Sequence, residues 1–115
     1  MIRIVREPIR RSDLAAIAEE QFGDLVKAVV DVERGLMAIG GELHADEEAA
    51  LLEDGSRQLH LWGINLYPAE HGVGWIEFDS MINVRPSQSN RSRNVEDVGL
   101  REQIRSLVGV LVTDA

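Results

Sequence analysis

Residues 27–39 read KAVVDVERGLMAI, and the way their chemistry changes along the chain decides the fold. Lys27 to Glu33 is rich in β-branched residues and alternates, so a strand there puts Ala28, Val30 and Val32 on one face and Lys27, Val29, Asp31 and Glu33 on the other. Arg34-Gly35 reads as a turn, and Leu36 to Ile39 is apolar again before Gly40-Gly41 ends the run. The economical reading is a β-hairpin, with one bent strand as its alternative. A hairpin argues against a doubly wound sheet, whose parallel strands are separated by crossover helices.

Working outward, Ile2, Ile4 and Val5 fit a short first strand, Pro8 interrupts it, and Ser12 is placed to cap a helix from Asp13 to about Gln21 that buries Leu14, Ile17 and Ala18. Beyond the hairpin, Asp46, Glu47 and Glu48 favour the positive end of a helix dipole, and Ala49 to Leu52 continue that helix until Asp54-Gly55 stops it. Gln58 to Tyr67 (QLHLWGINLY) is apolar on both alternating sets, as expected of a central strand covered on both faces, with Gly63 weakening it or marking a bulge. Trp75 to Arg85 alternates too. It predicts a strand with Ile76, Phe78, Ile82 and Val84 inward, Ser80 the one polar residue on that face, and Glu77, Asp79, Asn83 and Arg85 outward. Asp97 then caps a last helix with Leu100, Ile104, Leu107, Val108 and Leu111 on one stripe. The order β-α-β-β-α-β-β-α predicts an α+β fold, a largely antiparallel sheet of about five strands with three helices, in one domain over residues 1–115.

Composition excludes several classes. With 44% hydrophobic and 28% charged residues the chain has the ordinary globular balance, and no run approaches the roughly 20 apolar residues that cross a bilayer. The start, MIRIVREPIRR, lacks the apolar stretch of a secretory signal, so a cytoplasmic location and no membrane partner are expected. The absence of cysteine closes disulfide, thiolate and thiolate-metal chemistry. A net charge of -8 argues against nucleic acid as a partner. The charge is uneven: residues 1–11 carry a net +3, residues 12–84 a net -12 and residues 85–113 a net +2.

The segment Arg85 to Asp97, RPSQSNRSRNVED, is the most unusual chemically. Its first ten residues hold no apolar side chain other than proline, so nothing there drives burial. Arginine offers a planar fork for carboxylate or phosphate, and Ser, Asn and Gln add short donors, so Arg85, Asn90, Arg91 and Ser92, with Asn83, are the candidate contacts for an anionic or phosphorylated ligand. The bland alternative is that these side chains cap loop backbone or pair with the acidic middle of the chain. Neither GxxxxGK[ST] nor GxGxxG is present.

Other groups are weaker candidates. If the strands carrying them are neighbours, Glu77 and Asp79 converge with Asp31 and Glu33, an arrangement that would orient a ligand or recruit magnesium, although no cofactor or metal is otherwise expected. Glu42, His44 and Asp46 share one side if extended but match no ligand spacing, and two of them can simply begin a helix. Trp62, Tyr67 and Trp75 more often belong to a core than to a stacking platform. Ser56 or Ser80 beside His60 lacks any elbow motif for a nucleophile.

The stretches LWGINLYP (Leu61 to Pro68) and SMINVRPSQSNRS (Ser80 to Ser92), preceded by VDVERGLMAIGGELHADEE (Val30 to Glu48), resemble the prokaryotic domain-of-unknown-function 5674 family over most of the chain. The resemblance implies membership and brings no activity, ligand or catalytic residue with it. Two functions follow from the residues: a small domain that binds an anionic or phosphorylated ligand, or a non-catalytic homodimer whose polar loop forms salt bridges between subunits. Whether any reaction is catalysed is open at this level.

Overall fold

A computed structural model describes residues 1–114. The chain runs β1 (Arg3–Val5), β2 (Ile9–Arg10), α1 (Arg11–Glu20), β3 (Val26–Asp31), β4 (Leu36–Ile39), α2 (His44–Glu53), β5 (Leu61–Leu66), β6 (Ile76–Glu77), α3 (Val98–Leu111) and β7 (Val112–Thr113), with short 3-10 turns at Gln58–His60, Gly72–Trp75, Met81–Asn83 and Pro86–Gln88. Five strands form one antiparallel sheet in the order β1-β4-β3-β5-β6, and β2 and β7 form a separate parallel pair. The fold is α+β, as the sequence predicts.

The hairpin is present, with Ala28 opposite Ile39 and Asp31 opposite Leu36. Asp31 holds its turn by accepting the N–H groups of Glu33 and Arg34 at Oδ1, each at 2.9 Å, while Gly35 takes a φ of 68° that favours glycine. Both faces of the sheet are covered. Ala28, Val30, Met37, Ile39, Ile64 and Leu66 pack with Leu14 and Ala18 of α1 and Ile104, Val108 and Leu111 of α3. On the other face Val29, Leu36, Ala38 and Leu61 pack under Leu51 of α2, with Ile82 beside them. The α3 stripe is the one the spacing predicts, and Asp97 caps that helix by accepting the N–H of Leu100 at 2.8 Å.

Four readings need correction. The helix α1 begins at Arg11, so Ser12 lies inside it, and Asp13 takes the N–H of Arg10 at 2.9 Å instead. The middle of the sheet is β3, with β5 one place nearer the edge. Gly63 is in regular register opposite Val29 and makes no bulge; a Cβ there would lie 2.5 Å from Ser80 Oγ, so glycine is needed because another segment crosses at contact distance. The predicted strand Trp75 to Arg85 stops at Glu77, after which the chain breaks into 3-10 turns and lies against β5. Consequently Asn83 and Arg85, expected to face outward, are buried, and Val84, expected inward, is exposed.

Candidate functional site

The early end of β6 creates a problem that the polar segment solves. Leu61, Gly63 and Asn65 of β5 turn their backbone groups toward the edge where β6 pairs, but β6 reaches only Asn65 and Leu66. The amide of Asn83 completes the edge at Gly63: Oδ1 accepts the Gly63 N–H at 2.8 Å and Nδ2 donates to the Gly63 carbonyl at 2.9 Å, the two bonds a neighbouring strand would make. The guanidinium of Arg85 does the same at Leu61, whose carbonyl accepts from Nη2. The other Arg85 donors go to the carbonyls of Ile82 and Gln58, both at 2.8 Å, and the cation lies 4.4 Å over the Trp62 ring. Burial pulls this guanidinium below its ordinary pKa, with Glu48, 3.9 Å away, opposing. Asn90 ties the turn to itself, donating to the carbonyls of Asn83 and Asn94, each at 2.7 Å, and accepting the N–H of Glu96 at 2.9 Å.

Of the five predicted anion contacts, three are therefore committed inside the fold. The remaining two, Arg91 and Ser92, are exposed and sit side by side. Their backbone N–H groups and the Ser92 hydroxyl converge on a single carboxylate oxygen, Glu96 Oε2, at 2.9, 2.8 and 2.8 Å. The Ser92 hydroxyl, its N–H and that of Arg91 hold the Glu96 carboxyl below the usual carboxylate range. The Arg91 guanidinium takes no ion-pair partner among the described residues.

The orienting carboxylates go elsewhere. Glu77 Oε1 accepts from Asn65 Nδ2 at 2.9 Å and from the Tyr67 hydroxyl at 3.1 Å, and Asp79 pairs with Arg93 at 2.6 Å. They do not converge with Asp31 and Glu33, because β5 stands between β3 and β6, and Asp31 is occupied by its turn and by the Ser56 hydroxyl at 2.6 Å. No three His, Asp or Glu side chains gather as metal ligands would among the described residues. His44 and Asp46 lie in the first turn of α2 and Glu42 in a bend before it, so the three do not form an extended run. Trp62 belongs to the core, and Trp75, half-buried, lies under the guanidinium of Arg11 at 4.0 Å.

Sequence reasoning missed a second polar cluster, at the amino end of α2. Glu47 is fully buried with Oε2 accepting the Gly41 N–H at 2.9 Å, and burial raises its carboxyl to about 9, so it is a neutral acid at pH 7. One turn before it, burial pushes His44 below its ordinary pKa. His44 Nε2 lies 2.8 Å from the Ile64 carbonyl, which can only accept, so that nitrogen carries the proton. The sheet beneath supplies Lys27 and, opposite it in register, the buried Asn65. The signal available in the sequence was a buried-helix register, His44, Glu47 and Leu51 at i, i+3 and i+7, hidden in a run of acids.

A family described as a protein of unknown function (DUF5674) matches residues 3–111. No curated protein and no solved structure matches the chain.

Proposed function

We propose that this chain, which belongs to the DUF5674 family of unknown function, is a binding domain for an anionic group, with recognition at the turn of Arg91 and Ser92. The observation that carries this reading is the convergence of three donors on one oxygen of Glu96. The turn already has the geometry and field an oxyanion needs, and the chain's own carboxylate occupies it. A ligand phosphate or carboxylate competes with Glu96 for those donors, and the open Arg91 fork adds the charge that favours a dianion. Arg85, Asn83 and Asn90 hold the turn in place from below. A domain without cysteine suits a reducing cytoplasm, where phosphorylated metabolites and side chains abound.

Removing the competitor tests this. Glu96→Ala is expected to lose thermal stability in a non-coordinating buffer and to recover it in inorganic phosphate at constant ionic strength, with the native chain responding less. Arg91→Ala in the same background should abolish the recovery. A Glu96→Ala protein that responds equally to chloride and phosphate contradicts the reading.

The second reading, a homodimer whose turn receives a carboxylate of the partner, is favoured by the exposed Met81 and Val84 in the same segment. It predicts a mass that falls to that of one chain on Arg91→Glu.

A further inference from the structure

Gly63, Val29, Ala38 and Ile4 form one row across β5, β3, β4 and β1, each directly opposite the next. In an antiparallel ladder, residues so placed exchange either both of their main-chain hydrogen bonds or neither. Gly63 gives both of its groups to Asn83, away from β3. Val29 is therefore bonded to Ala38, Ala38 has nothing left for Ile4, and the N–H and C=O of Ile4 point out of the sheet. Among the described residues no main-chain partner meets them, nor do Ile2 and Arg6 on either side find one.

The sheet closes its other side. Where β6 stops short, the side chains of Asn83 and Arg85 satisfy the backbone of β5. At β1 no side chain does the same. Open edges are kept from pairing with copies of their own chain by brevity, charge and proline. β1 has all three, with its three residues, Arg3 and Arg6 beside Ile4, and Pro8 beyond. These features disfavour a second copy at this edge and suit a strand of opposite charge.

The charge is local and available. Residues 1–11 hold four arginines against one glutamate in a chain of net charge -8. Arg3 is exposed and has no ion-pair partner among the described residues, and Arg6 shares the single carboxylate of Asp54 with Arg34. The two faces of the edge differ. Ile2 and Ile4 lie half-buried on the α2 side, against the cluster of Val29 and Leu51, and Arg3 projects on the opposite side.

We propose that β1 receives an extended acidic segment of another protein as an added antiparallel strand, with apolar side chains beside Ile2 and Ile4 and carboxylates toward Arg3. This edge lies across the sheet from the segment that carries Arg91 and Ser92, and neither site depends on the other.

The probe is the peptide acetyl-Gly-Glu-Val-Glu-Val-Glu-Gly-amide, titrated into the full chain and followed by amide hydrogen exchange. At ten times its dissociation constant it should slow exchange of the Ile4 N–H about tenfold and leave that of Val29 unchanged. A residue opposite Ile4 shares its face, so the valine nitrogens point at β1 and the glutamate nitrogens at solvent. Methylating the valine nitrogens should abolish the protection, and methylating the glutamate nitrogens should preserve it. Arg3→Glu, a change of an exposed side chain, should weaken binding about fivefold. The analogue with lysine in place of glutamate should not protect Ile4. Equal protection by the valine-methylated or the lysine peptide overturns the proposal. An Ile4 N–H already protected in the free chain also overturns it, and a doubled mass in the same sample would identify the occupant of the edge as a second copy.

Discussion

Asn83→Ala is expected to cost about 4 kcal/mol of folding stability, measured by urea unfolding, from the loss of buried hydrogen bonds and the stranding of their partners. The side chain is fully buried and makes three hydrogen bonds, two to Gly63 and one to the Arg93 carbonyl. Alanine removes all of them and leaves the N–H and C=O of the buried Gly63 on a strand edge without the side chain that pairs them. Hydrogen bonds that leave unpaired groups behind cost more than their net contribution when intact. Arg91→Ala, a change of an exposed side chain a few residues away, should stay within about 0.5 kcal/mol. Equal effects at the two positions would mean that Asn83 does not complete the sheet.

Between pH 7 and 9 the native chain should lose about 2 kcal/mol of stability that Glu47→Gln does not lose, since each pH unit well inside the window of a shifted group is worth about 1.4 kcal/mol and the slope falls off as the folded carboxyl itself titrates at about 9. The sign follows from the raised carboxyl. Below 4.5 Glu47 is protonated in both states and its contribution is fully present; as pH rises toward about 9 the unfolded chain releases a proton that the folded chain retains, and the contribution is lost. His44, on the same helix, is held below its ordinary value and contributes the opposite slope, which is complete below pH 7. Asp54 and Glu96, both held below the carboxylate range, are ionised in both states throughout the interval. Lys27 from β3 favours the ionised Glu47 and Asp46 opposes it, and neither overcomes burial. Glutamine keeps the acceptor for the Gly41 N–H without a titrating proton. Parallel stability profiles for the two proteins would place Glu47 in an ordinary, ionised state.

The hairpin, the two faces of β3 and the α3 stripe were legible because each rests on a repeating period of apolar residues over six or more positions. The segment after β6 was not, because Ile76, Phe78, Ile82 and Val84 mimic a strand's alternation while Asn83 and Arg85, on the polar set, are buried as edge partners. Asn83 and Arg85 read as solvent-facing; an amide that copies a peptide group leaves no mark in a hydrophobicity pattern. Gly63 did carry a signal, since glycine within an apolar strand indicates either a bulge or a close approach, and the sequence does not choose between them. The choice of Arg91 and Ser92 needed only the observation that donors cluster there, whereas the role of Glu96 as occupant of the turn depends on a reversal of the chain that no local pattern encodes. Glu47 was hidden in the run Asp46-Glu47-Glu48, where charge suggests a solvated helix start and only the i+3 step from His44 marks the inward face.

The most direct test of anion binding is a two-dimensional amide NMR titration of Glu96→Ala with inorganic phosphate at constant ionic strength. The account predicts saturating shifts concentrated at the amides of Arg91 and Ser92, lost on Arg91→Ala, with those of Lys27 and Glu47 unmoved. Small, non-saturating shifts scattered over the arginine-bearing surface would contradict it.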